Sequence, residues 1–137
     1  MPDLQRTTLY PPNAPKPLGA YSHAVKVSAG SLLYIAGQVG VDADGKLAGP
    51  DVVAQTRQVF QNLVHVLAGA GATFSNVVEF TTYLVGRSSI QPFIDARTKL
   101  FLGLYPGGDY PPNTLLVIAG LVQEEFLVEI KAVAALP

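Results

Sequence analysis

Apolar and polar positions along this chain follow two different periods. Between Tyr21 and Val27 they alternate, with Tyr21, His23, Val25 and Val27 on one side and Ser22, Ala24 and Lys26 on the other, which predicts a strand. Ser28-Ala29-Gly30-Ser31 reads as a turn and Leu32–Gln38 as a second strand, so a hairpin is expected. Gln5–Tyr10 is a shorter strand ahead of them, joined by a stiff extended connection containing Pro11, Pro12, Pro15 and Pro17. From the N-cap residue Asp51 the period becomes helical. Val52, Thr56, Val59, Phe60, Leu63, Leu67 and Ala70 share a face, and Gln55, Gln58, Asn62 and His65 are assigned to the opposite, polar one. Gly69-Ala70-Gly71 ends the helix. Val77–Val85 alternates again. Ser88 or Ser89 then caps a second helix, with Pro92 in its first turn, a stripe of Phe93, Ala96, Leu100 and Phe101, and a stop at Tyr105-Pro106-Gly107-Gly108-Asp109. Two strands close the chain. Thr114–Leu121 is a continuous apolar run that suits a strand buried on both faces. After the turn Gln123-Glu124-Glu125, Phe126, Val128, Ile130 and Ala132 alternate with Leu127, Glu129, Lys131 and Val133, and a second hairpin is expected.

The predicted order is βββαβαββ in a single domain over residues 1–137, an α+β two-layer fold with two helices on one face of a mixed sheet. The other face carries Thr81, Tyr83 and Val85, too apolar for plain solvent surface. Composition sharpens this point. Charged residues make up 14% of the chain and hydrophobic ones 49%, against about 25% charged in an ordinary soluble domain. A subunit interface is the simplest sink for the surplus apolar surface. A net charge of −1 without basic clusters speaks against nucleic acid as a partner. The absence of cysteine removes disulfide, thiolate and zinc–thiolate chemistry, and two histidines, His23 and His65, are too few for a His-rich metal site. Met1–Arg6 has no apolar targeting core, and no apolar run approaches the roughly 20 residues of a membrane helix, so a soluble cytoplasmic protein is expected, with no membrane partner.

Five segments in order carry a resemblance: Gly19-Ala20-Tyr21-Ser22, Leu33–Gln38, Gln55–Leu63, Tyr110-Pro111-Pro112-Asn113-Thr114 and Val128–Ala134. Together they make the chain resemble the RidA/YjgF family of reactive-intermediate deaminases, also called L-PSP endoribonuclease-like. The resemblance implies a chorismate-mutase-like fold, a homotrimer and a ligand cleft at each subunit interface. It also implies hydrolysis of imines or enamines to a 2-keto acid and ammonia, with no metal or organic cofactor. In this pattern Glu129 matches the catalytic or water-orienting glutamate and Tyr21 a tyrosine lining the cleft; Gly37, late in its strand, lacks a side chain and so could offer its backbone to a ligand. Asn113 stands where the family's carboxylate-binding arginine belongs. An amide gives only neutral hydrogen bonds, and losing the bidentate guanidinium weakens anion binding by about 2–4 kcal/mol.

Each residue also has a plainer reading. Glu129 can be a solvated strand glutamate beside Lys131, Tyr21 a half-buried strand tyrosine, Gly37 a packing glycine, and Asn113 a turn residue after two prolines. His23 is a poor stand-in for the missing cation, being only partly charged near neutrality, and His65 is assigned no role. Arg87 and Arg97 read as surface or helix charges, with Arg87 the better outside candidate for reaching a cleft. Three functions are therefore weighed: a RidA-like hydrolase acting on a small imine, enamine or related compound other than a standard 2-imino acid; a non-catalytic trimer binding a small metabolite; and an endoribonuclease, which the charge balance disfavours.

Overall fold

The computed structural model describes residues 4–137, so the first part of the Met1–Arg6 stretch lies outside the described residues. Helix α1, Val52–Gly69, begins where Asp51 Oδ2 accepts the Ala54 N–H at 2.9 Å. Helix α2 spans Ile90–Leu104. Ser89 holds its N-cap position, but the hydroxyl donates instead to the Val85 carbonyl at 2.8 Å, because the 3-10 turn Arg87–Ser89 folds it back onto the preceding strand. The strands are β1 Gln5–Leu9, β2 Ala24–Ser28, β3 Ser31–Val39, β4 Val77–Val85, β5 Asn113–Ile118 and β6 Val128–Leu136. Two helices pack on one face of a mixed sheet, an α+β arrangement.

Strand order in the main sheet is β3-β6-β4-β5, with β6 antiparallel to both neighbours and β5 parallel to β4. Neither expected hairpin forms. β2 pairs with β1 in a separate two-stranded ribbon, while β3 joins β6. The Ala29-Gly30 turn hands the chain from ribbon to sheet, and the Gly30 N–H donates to the Leu136 carbonyl at 2.9 Å. At the other end, residues 119–127 carry the chain across the end of β4, where the Val85 N–H meets the Leu127 carbonyl at 3.0 Å. β5 and β6 therefore flank β4 from opposite sides. β5 is an edge strand with Leu116 and Val117 exposed, not a strand buried on both faces. Tyr21 to His23 precede β2 rather than forming part of it, and Ser22 makes a single parallel bridge to Pro112.

The core lies between the helices and one sheet face. Phe60 of α1, Phe74, Phe80 of β4, Phe101 of α2 and Tyr105 are all buried, with neighbouring ring centroids 5.0–6.3 Å apart. Each such ring contributes about 1.5–3 kcal/mol by leaving water. The Tyr105 hydroxyl donates to the Phe74 carbonyl at 2.8 Å, which satisfies the one polar atom of the cluster.

Gln55 corrects the reading of α1. It is 0% exposed and sits on the core face. Its Nε2 donates to the Gly49 and Glu125 carbonyls at 2.9 and 3.0 Å, and its Oε1 accepts the Leu127 N–H at 2.8 Å. One amide thus pins the loop before α1 and the turn before β6 to the same helix face. Gly40 leaves room for it, since a Cβ there would lie 2.6 Å from the Gln55 Cβ.

Candidate functional site

Strand pleating sorts the candidate residues onto two faces. On β4, Phe80, Thr82 and Leu84 are buried toward the helices, and Thr81, Tyr83 and Val85 face the open side. Glu129 pairs with Tyr83, so its carboxylate stands on the open face, as does Lys131 opposite Thr81. Asn113 pairs with Phe80, and its Oδ1 accepts from the buried Thr82 hydroxyl at 2.8 Å, which puts its side chain on the helix side. The four sequence-predicted residues therefore fall into two pairs within one protomer: Gly37 with Glu129, and Tyr21 with Asn113.

The first pair is built by a bulge. Between Ile35 and Gln38 β3 takes three steps while β6 takes two, from Ala132 to Ile130, so β3 carries an extra residue beside Gly37. The Glu129 side chain lies over the Gly37 backbone. A Cβ at 37 would sit 2.6 Å from Glu129 Cδ and 2.7 Å from Cγ and would collide with Oε2. Only the flexible end of Glu129 need yield, so Gly37→Ala is expected to move the carboxylate while leaving the fold intact. Turnover should then fall on the order of tenfold, within what a misplacement below 1 Å produces, with a melting temperature near that of the wild type. A full rate in Gly37→Ala would show that the position of this carboxylate does not matter.

The second pair lines a pocket of about 260 Å³ between α2 and the edge strand β5, roofed by Leu18 and Gly19. Its other walls are Ile90, Ile94, Arg97 and Leu115. Tyr21 Oη accepts the Leu18 N–H at 3.1 Å, which leaves the phenol proton free to donate. Because Asn113 Oδ1 is taken by Thr82, the free end of the amide is its NH₂ group. Arg97 is the residue that the sequence reading misplaced. It is 5% exposed, with its guanidinium carbon 5.3 Å from the Phe93 ring centre and 5.9 Å from that of Phe101. Its Nε is buried without a partner. The only ion pair among the described residues joins Arg6 to Asp109. Burial pushes the Arg97 guanidinium below its ordinary value, and the nearby Tyr21 opposes that shift. The signal was present in the sequence, because Arg97 lies four residues after Phe93 and four before Phe101, inside the apolar stripe.

The remaining candidates lie elsewhere. His23 bonds the Pro15 carbonyl and lines a different cavity, with Tyr34 and Glu79, on the open side. Arg87 is exposed in its 3-10 turn, and His65 is exposed on α1 beside Gln61. Among the described residues no three His, Asp or Glu side chains converge as a metal-binding group, and no helix is long and apolar enough to cross a membrane.

Residues 11–136, which contain all five resemblance segments, match the family described as Endoribonuclease L-PSP. The chain belongs to that family. In the Endoribonuclease L-PSP family it sits among RidA/YjgF proteins. A RutC family protein of Pyrococcus horikoshii is 32% identical over 94% of this chain and 97% of its own. The 2-iminobutanoate/2-iminopropanoate deaminase of Mus musculus is 34% identical over 77% of this chain and 78% of its own. The crystal structure of YyfB, a Rid family protein of unknown function from Yersinia pestis, aligns with a TM-score of 0.85 and 38% identity, covering 96% of this chain and 98% of the other. The Endoribonuclease L-PSP family includes imine deaminases, as the mouse protein's name states.

Proposed function

We propose that the protein hydrolyses a small imine or enamine in clefts between the subunits of a homotrimer with a chorismate-mutase-like arrangement. The observation that carries this reading is the carboxylate of Glu129, seated over a bare stretch of β3 backbone at Gly37 on the uncovered sheet face. Glu129 would take a proton from water as the oxygen adds to the C=N carbon and pass it to the nitrogen, giving a carbinolamine; it would then take the carbinolamine hydroxyl proton and hand it to the departing nitrogen, leaving carbonyl and ammonia. Tyr21 and Asn113 would orient the ligand. They lie on the other side of the sheet, so one protomer does not complete the site. A neighbour covering the open face, where Tyr34 is 75% exposed beside Leu32 and the half-buried Tyr83, would bring its own Tyr21 and Asn113 to Glu129. The amide at 113 implies a substrate that is neutral, or is held differently from a standard 2-imino acid.

The test measures ammonia release from freshly generated imines, for the wild type and Asn113→Arg, on protein whose mass is fixed by light scattering. The reading expects a three-chain particle and release above spontaneous hydrolysis on some members of a broad imine panel. A monomer at micromolar concentration removes the interface cleft. A trimer without turnover that binds a metabolite in calorimetry moves the assignment to a non-catalytic binder.

A further inference from the structure

Every side-chain polar group facing the pocket beside α2 is a donor. These are the phenol proton of Tyr21, the amide NH₂ of Asn113 and the guanidinium of Arg97. The acceptor atoms of Tyr21 and Asn113 each already take one hydrogen bond, from the Leu18 N–H and the Thr82 hydroxyl. The remaining side-chain walls, Leu18, Ile90, Ile94 and Leu115, are apolar. A ring of donors around a buried cation selects an anion. The guanidinium itself is anomalous as a purely structural group. Phe93 and Phe101 lie within cation–π distance of it, yet Nε is buried without a partner and no carboxylate of the described residues lies within ion-pair distance. A buried cation in that condition is strongly disfavoured unless something with negative charge completes it.

We infer that Arg97 is the anion-holding residue of this protein, supplying from helix α2 the charge that Asn113 cannot supply from β5, and that the ligand is a small monocarboxylate with a short apolar tail. The carboxylate takes the planar fork of Arg97, with Asn113 and Tyr21 donating to its oxygens. Its tail lies against Ile90, Ile94 and Leu115. A second carboxylate would have to rest on those side chains without a partner, so diacids are rejected. The pocket, about 260 Å³, has room for such an acid and lies below the roughly 300 Å³ where drug-sized pockets begin. Gly19 also borders this pocket. It lies beside the guanidinium, where a Cβ would stand 3.5 Å from Arg97 Nη2, in ordinary contact. The inference rests on the imine-hydrolase reading only in treating this pocket as the charged end of the substrate cleft.

The test is calorimetric binding of 2-oxobutanoate and of its uncharged amide, 2-oxobutanamide, to the wild type, Arg97→Met and Asn113→Asp. Arg97→Met keeps the length and the apolar contacts of the stem, and removes a buried charge rather than leaving one unpaired. The expected result is oxo-acid binding to the wild type that weakens about 30-fold or more in Arg97→Met, with amide binding equal in both. Asn113→Asp keeps the acceptor for Thr82 and places an acid before Arg97, so it should abolish oxo-acid binding even if Arg97→Met fails to fold. Unchanged oxo-acid affinity in folded Arg97→Met, retained affinity in Asn113→Asp, or no oxo-acid binding by the wild type would each overturn the inference. The two failures are separable. Arg97-dependent carboxylate binding without imine turnover leaves the pocket assignment standing and removes the hydrolase. Imine turnover that ignores Arg97→Met does the reverse.

Discussion

Replacing Glu129 by glutamine is expected to lower kcat by about 10²–10⁴-fold, the usual span for removing a positioned proton carrier. The substitution keeps shape and hydrogen-bonding reach while abolishing the ability to take up and return a proton. Nothing in the core depends on it, because Glu129 stands on the open face, and its neighbours Val128 and Ile130 hold β6 in place. Melting temperature and particle mass should therefore stay at their wild-type values, and KM should change less than kcat. Steady-state ammonia release across an imine panel, with a melt and light scattering on the same samples, reads all three. Full activity in the glutamine variant would reduce Glu129 to a strand-surface residue beside Lys131.

The largest stability effect is expected at Gln55. Gln55→Ala removes three hydrogen bonds at once and leaves the Leu127 N–H and the Gly49 and Glu125 carbonyls without their partner inside the structure. Deleting one buried amide with several partners and opening a cavity sums to about 3–5 kcal/mol. For a domain of this size that is on the order of a 10–20 °C fall in melting temperature. The neighbouring exposed Gln61 supplies the control, since Gln61→Ala should move stability by less than about 0.5 kcal/mol. Thermal or urea unfolding of both variants decides it. Similar melts for the two would mean that the loop before α1 and the turn before β6 are held by other contacts.

Both Gln55 and Arg97 show where a pattern of apolar positions stops being informative. Each is a polar residue at a helical spacing that belongs to the apolar stripe: Gln55 comes three after Val52 and four before Val59, and Arg97 is flanked by Phe93 and Phe101. Assigning every polar residue to the solvent face hides the positions where burial has a purpose. The helices themselves were legible because their period, the Asp51 cap and the glycine and proline stops are local signals. Strand existence was legible for the same reason. Strand pairing was not, because the short turn after β2 mimics a hairpin connection, and which edge a strand joins is decided by contacts far along the chain. Sequence placed Tyr21 and Asn113 in one site with Gly37 and Glu129. It could not show that the sheet separates them in a single protomer, since that follows from the pleat and register of β4, β5 and β6.

The position of β6 between β3 and β4 also sets how this sheet can come into being. Ser31 pairs with Leu136 and Val77 with Ala134, so both long seams of the sheet wait for the last strand of the domain. While the ribosome is still adding residues 128–136, β3 and β4 each present a row of unpaired backbone groups toward an empty slot. Closure then happens by threading a strand between two waiting edges rather than by stacking a new one on the outside. Contacts of such long sequence separation make for slow folding, and the half-built sheet is the species most exposed to strand addition from another chain. The folding chain is thus most open to aggregation in the moments just before β6 takes its place.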